Sequence, residues 1–170
     1  MRAHLRGWHL AVMLVAVSII GVGVQVAYAS VFGVTTTSGG AVMAVAAARG
    51  GNDTTTSSTT YIPLPGARLT MRGRGLLVIR FTAESLCTGG ATDAYCSIDV
   101  LVDGVAAKPA AGIDYAFDTN DGGSWEGNAV DRSIKVGTGL HTIRLMYATT
   151  SGATSFRLDD WHMTVERAVA

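Results

Sequence analysis

Residues 97–104 read SIDVLVDG, and this stretch decides the fold class. Ile98, Val100 and Val102 fall on one side of an extended chain, with Asp99, Leu101 and Asp103 on the other. One face is therefore predicted to enter a core while the other meets water. Asp103-Gly104 follows at once, a pair that suits the two left-handed positions of a tight hairpin turn, so the chain should return through Val105 and Ala106.

The same grammar recurs on both sides. Gly75–Ala83 (GLLVIRFTA) is β-branched and aromatic, with Leu77, Ile79 and Phe81 alternating, and reads as a central strand. Tyr61-Ile62-Pro63-Leu64-Pro65-Gly66 reads as a strand end and turn, since each proline restrains its own φ and the residue before it. The section 109–128 is loop-rich around a short strand predicted at Tyr115–Phe117. Ala129–Val136 then leads through Gly137-Thr138-Gly139 into His141–Thr149, where Ile143, Leu145 and Tyr147 alternate with Thr142, Arg144 and Met146. A hairpin at the glycine-rich turn is the expectation.

The last strand, from Thr154 or Ser155 to Arg167, changes parity. Phe156 and Leu158 share one face of a regular strand, whereas Trp161, Met163 and Val165 share the other. A β-bulge at Asp159 or Asp160 would return all five to one inward face. The alternative is a strand buried on both sides at its start.

No segment after the amino-terminal region shows a 3.6-residue apolar period with caps, and turn chemistry recurs at β-sandwich spacing. The fold class expected is all-β, a two-sheet antiparallel β-sandwich of jelly-roll form. An immunoglobulin-like sandwich is the alternative, although its Cys-Trp-Cys spacing is absent. The block Gly139–Tyr147, a turn, and Phe156–Val165 resembles the closing hairpin of complement-head and tumour-necrosis-factor-like jelly rolls, and also resembles uncharacterised secreted bacterial β-sandwich domains. That resemblance covers about a quarter of the chain after residue 29 and implies a trimer and a binding or structural role. It carries over no catalytic residue.

Residues 1–29 have the layout of a signal peptide. Arg2 and Arg6 precede an apolar run, Leu10–Val24, and Ala27-Tyr28-Ala29 offers small residues for cleavage before Ser30. An uncleaved membrane anchor is the alternative, but the run is shorter than the roughly 20 residues of a spanning helix. Cleavage leaves 141 residues with no stable membrane span, secreted to the extracellular side. Residues 30–60, rich in Ser, Thr, Gly and Ala, form an expected partly flexible leader, within which Ala41–Ala48 reads as an edge strand or a short helix. Residues 61–170 form the expected β-sandwich domain. Removing Arg2 and Arg6 leaves 11 basic and 13 acidic residues, a balance that argues against nucleic acid as a partner.

Cys87 and Cys96 are the only cysteines, and export makes them an expected disulfide closing a ten-residue loop. Their C-x8-C spacing matches no metal or redox pair. Tyr95, Tyr115 and Trp125 lie in or beside the loops at one end of the sandwich, where rings flanked by Asp and Asn would hold a sugar or a peptide. The competing reading makes Trp125 an anchor of its own loop, while Trp161 belongs to the core. Asp118, Asn120 and Asp121, in the sequence DTNDGG, suggest a calcium loop, against which stands a plain turn, since the twelfth position is Ala129 rather than Glu. No other cofactor is implied. Arg80, Glu84, Arg144, Arg157 and Arg167 read as a solvated, ion-paired sheet face.

The function that follows is a secreted, non-enzymatic binding or structural domain, with an extracellular protein, a glycan or further copies of itself as partner. Two alternatives stand beside it. One is a small hydrolase built on His162 and a nearby acid, although no G-x-S-x-G elbow is present. The other is a trimeric assembly protein.

Overall fold

The structure, a computed structural model, describes residues 41–110, 115–120 and 123–169. The expected signal peptide, residues 1–29, and the first part of the expected leader lie outside the described residues. Ten strands are present among those described: β1 (Ala41–Gly50), β2 (Thr54–Thr56), β3 (Ile62–Arg72), β4 (Gly75–Gly89), β5 (Tyr95–Val102), β6 (Val105–Ala106), β7 (Asp118–Thr119), β8 (Glu126–Val136), β9 (Leu140–Thr149) and β10 (Thr154–Val169).

They form two antiparallel sheets. The first has the order β1-β10-β4-β8, with β2 also on β10; the second has β3-β9-β5-β6, with β7 also on β5. Successive long strands change sheet, from β3 to β4 to β5 and again from β8 to β9 to β10, which is the expected jelly-roll sandwich. The inward faces are those the alternation predicted. Ile98, Val100 and Val102 of β5 meet Leu77, Ile79 and Phe81 of β4 and Ile143, Leu145 and Tyr147 of β9 in one buried core. Burying each large aliphatic or aromatic side chain there contributes about 1.5–3 kcal/mol. Phe81 packs at 6.3 Å from Trp161 and 5.7 Å from Phe117, and Phe117 at 6.2 Å from Phe156, so aromatic contacts run through the interior.

The parity change in β10 is resolved by a bulge. Pairing with β4 is regular to Asp159 and resumes at His162, and Asp160 adopts a left-handed backbone with φ of 44°. Phe156, Leu158, Trp161, Met163 and Val165 are all buried as a result. The turn after β5 also forms as predicted, with Asp103 at φ 52° and Gly104 at φ 84°, both left-handed as a type I′ hairpin requires.

Three expectations are corrected. β8 and β9 lie in different sheets, so Gly137-Thr138-Gly139 carries the chain across the sandwich and makes no hairpin; β9 and β10 are likewise split between sheets. Alternation reveals which face is inward and cannot tell a hairpin from an arch between layers. The short strand near residue 115 falls instead at Asp118–Thr119, on β5, while Phe117 turns into the core. Pro63 and Pro65 lie within β3, where register with β9 breaks between Pro63 and Arg68; an outermost strand tolerates missing N–H donors. Both β1 and β2 pair with β10. Ala41–Gly50 is an outermost strand, the first of the two readings of that run.

The disulfide Cys87–Cys96 is present, with a Cα–Cα distance of 5.9 Å. It joins β4 of one sheet to β5 of the other. Among the described residues no helix is long and apolar enough to cross a membrane.

Candidate functional site

β8 is the outermost strand of its sheet, and its inward parity is unusual. Val130, Ile134 and Val136 face the core, yet Arg132 lies in the same row and is buried. Its guanidinium sits 5.3 Å from the centre of the Tyr115 ring, and one Nη donates to the Asp131 carbonyl at 2.9 Å. Its buried Nε meets no acceptor. Tyr115 is 47 % exposed, so the ring has one side on a cation and much of the rest in solvent. A cleft of about 240 Å3 opens between Tyr115, Ala116 and Phe117 on one side and Ala129–Arg132 on the other, with Ile98 at its base. The carbonyl of Tyr115 accepts from Ser97 Oγ at 2.7 Å, and Ser97 in turn contacts the Tyr61 hydroxyl at 2.7 Å. Burial of that phenol raises its pKa, against the Ser97 hydrogen bond, which lowers it. Tyr115 is thus set on a braced segment.

Trp125 makes a second aromatic–arginine pair on the other surface of the same sheet. Arg157, an outward residue of β10, lies 4.9 Å from the indole centre. Its Nε and Nη2 donate to the Asp53 carboxylate, the Nε bond at 3.0 Å. This carboxylate contact is the main cause of the raised Arg157 pKa. Trp125 is 40 % exposed and stands just ahead of β8. The result is a flat ring backed by a cation that is itself held from behind. Glu84 and Asp159, opposed in the β4–β10 register, add carboxylates to the same outer face.

Of the three aromatics singled out in the sequence, Tyr115 and Trp125 therefore form two separate aromatic–arginine pairs. Tyr95, at the head of β5, is half-buried and fixed through its backbone: its N–H donates to Thr150 Oγ1 at 3.0 Å and its carbonyl accepts from the Thr150 N–H at 3.0 Å. The two arginines are what the sequence reading missed. Arg157 is hidden among surface charges, but Arg132 on the apolar parity of Val130, Ile134 and Val136 was a legible irregularity.

The candidate calcium loop is divided. Asp118 is buried in β7, and Asn120 donates its amide to the carbonyls of Gly89 and Ala91 at 3.0 and 3.1 Å, fastening the disulfide loop. Asp121 lies outside the described residues. Among the described residues no group of three or more His, Cys, Asp or Glu side chains converges on a metal position.

The histidines take different roles. His162 is exposed on the outer face, with Thr164 Oγ1 at 3.4 Å. His141 is buried and pairs its Nδ1 with Asp103 Oδ2 at 2.7 Å and its Nε2 with the Gly137 carbonyl at 2.9 Å. An ionised carboxylate and a carbonyl only accept, so the two bonds are satisfied together by the imidazolium. Hydrogen bonding to Asp103 raises the His141 pKa, and the Thr142 N–H followed by His141 lowers that of Asp103. Both contacts suit the protonated ring, which ties β9 to the turn after β5 and to the Gly137 turn.

No protein-family model matches the chain, and no curated protein matches it in sequence. Similar solved structures include the Eiger tumour-necrosis-factor protein of S. frugiperda, at 10 % identity and a TM-score of 0.42, covering 72 % of this chain and 92 % of that one. The CBM36-1 domain of a multidomain xylanase from the hindgut metagenome of Trinervitermes trinervoides is similar at 12 % identity and a TM-score of 0.38, covering 72 % and 96 %. The globular domain of zebrafish complement 1qA is similar at 9 % identity and a TM-score of 0.40, covering 72 % and 93 %. Both kinds of jelly roll that the closing strands resemble in sequence are among these structures.

Proposed function

We propose that this chain is an exported, non-catalytic binding domain that takes a glycan on the Trp125 platform. The observation that carries the reading is the geometry of that platform: a flat indole, partly in solvent, backed at 4.9 Å by Arg157, which Asp53 pairs. An apolar ring face suits the C–H face of a sugar, and the neighbouring carboxylates accept from its hydroxyls. A ring packed against a cation loses less conformational freedom on binding than one free in solvent. Export rests on the signal-like residues 1–29, and mass spectrometry of the exported protein should find a new start at Ser30.

The test of the site is a glycan and cell-wall binding screen. Trp125→Ala is expected to lower affinity tenfold or more, and Arg157→Ala less; unchanged binding in Trp125→Ala would sink the proposal. Calcium at Asp118, Asn120 and Asp121 has less support, because Asn120 already serves the disulfide loop. Chelation with EGTA is expected to leave the melting temperature unchanged.

A second reading, assembly into homo-oligomers, is favoured by β1. This outermost strand exposes Val42, Met43 and Val45, and Arg49 is its only charge. An apolar outer strand is a template for pairing with a second copy.

A further inference from the structure

We propose that the Tyr115–Arg132 cleft is a second binding site, one that recognises the carboxylate of an acidic sugar. A buried guanidinium is costly unless its donors are satisfied, and here Arg132 Nε has no acceptor while the Tyr115 ring supplies only one face of attraction. The missing partner is an anion, and guanidinium geometry selects a planar, two-oxygen one, for which carboxylate is the match.

The surroundings specify the rest of the ligand. At about 240 Å3 the cleft is below the roughly 300–1,000 Å3 of sites for drug-sized molecules and fits one pyranose unit. Tyr115 offers that unit a partly exposed ring. Next to the cleft, and sharing Asp131 and Arg132 with it, a shallower hollow of about 390 Å3 adds Lys108 and Arg80. Asp131 is the acidic residue lining both hollows, and its carboxylate is turned to Arg80 at 3.6 Å. Arg80 is also paired with Glu166 at 2.7 Å, so Arg132 and Lys108 are the basic groups that the two adjoining hollows offer to an anion, and the class of ligand is an oligosaccharide of uronic acids. This site is separate from the Trp125 platform and stands or falls without it.

The test is calorimetric titration of the mature chain with trigalacturonate, its methyl ester and a neutral trisaccharide. Trigalacturonate is expected to bind at least tenfold more tightly than either control, and progressively less tightly as salt is raised. Arg132→Gln and Tyr115→Ser should each lower that affinity, by tenfold or more and by about threefold or more, while Trp125→Ala leaves it unchanged. Tyr115→Ser changes an exposed residue, so it keeps the test decisive should Arg132→Gln fail to fold. Equal binding of the ester, no binding of the acid, or loss of binding in Trp125→Ala alone would each overturn the proposal. So would equal affinity for a short neutral peptide with a free terminal carboxylate, because the sugar would then contribute nothing.

Discussion

Asp160 shows how a single backbone conformation orders a whole strand. Its left-handed φ of 44° inserts the extra residue that turns Trp161, Met163 and Val165 inward. A β-branched side chain pays a steric penalty there, so Asp160→Val is expected to cost about 1–2 kcal/mol, measured by urea denaturation, while Asp160→Gly should stay near neutral. Trp161 sets a second constraint. A Cβ on Gly50 would run into the indole, which packs on Phe81 at 6.3 Å and lies buried in the core. Gly50→Ala should therefore destabilise by about 1–3 kcal/mol in the same assay. Asp103 and His141 set a third, which depends on pH. The contribution of His141 is complete below its ordinary pKa of 6.5 and fades as pH rises through the raised folded value. That of Asp103 is complete above its ordinary 3.8 and fades as pH falls through the lowered one. The pair thus stabilises most between about pH 4 and 6.5. Melting temperature should be higher at pH 5.5 than at pH 8.5 in the wild type, and Asp103→Asn should shrink the difference.

At the level of strands, the alternating rows of β4, β5 and β9 were legible because a half-buried strand repeats every two residues. The β10 bulge was legible for the same reason, since a break in that repeat has few physical solutions. Which sheet receives each strand was not legible: Gly137-Thr138-Gly139 permits a tight hairpin or an arch, and only packing of both layers decides. The candidate site was half legible, because an exposed ring declares itself by type whereas Arg132 and Arg157 acquire meaning only when folding brings them to Tyr115 and Trp125. β1 carries the prediction at this scale. Val45 lies beside Glu166 on β10, and its side chain is 61 % exposed. If β1 pairs with a second copy, Val45→Lys should shift the protein to monomer in light scattering without lowering its melting temperature. A wild-type chain that is already monomeric at high concentration would remove the assembly reading.

Across the described residues, the two sheets share one core, and side-chain packing there is supplemented by a few backbone bonds at the margins, such as the reciprocal Lys108–Ser133 pair on β8. The disulfide is the covalent exception, joining β4 to β5 beside Phe156 and beneath the loop that Asn120 fastens. Closing a ten-residue loop constrains the unfolded chain by about 2.7 kcal/mol in the chain-entropy account. Its position adds a native-state role, because Cys87 and Cys96 are both buried in the core. Replacing both by alanine should thus cost about 2–5 kcal/mol, visible as a lower denaturation midpoint. The loss should be local in its functional effect. Asn120, Thr150 and Tyr95 hold the same end of the sandwich, whereas Arg157, which backs Trp125, is held by Asp53 on the outer face. The Cys87→Ala, Cys96→Ala double variant is therefore expected to bind at the Trp125 platform with wild-type affinity at temperatures where it remains folded. A loss of that binding in the folded variant would mean that the platform depends on the loop across the sheet rather than on its own arginine and carboxylate.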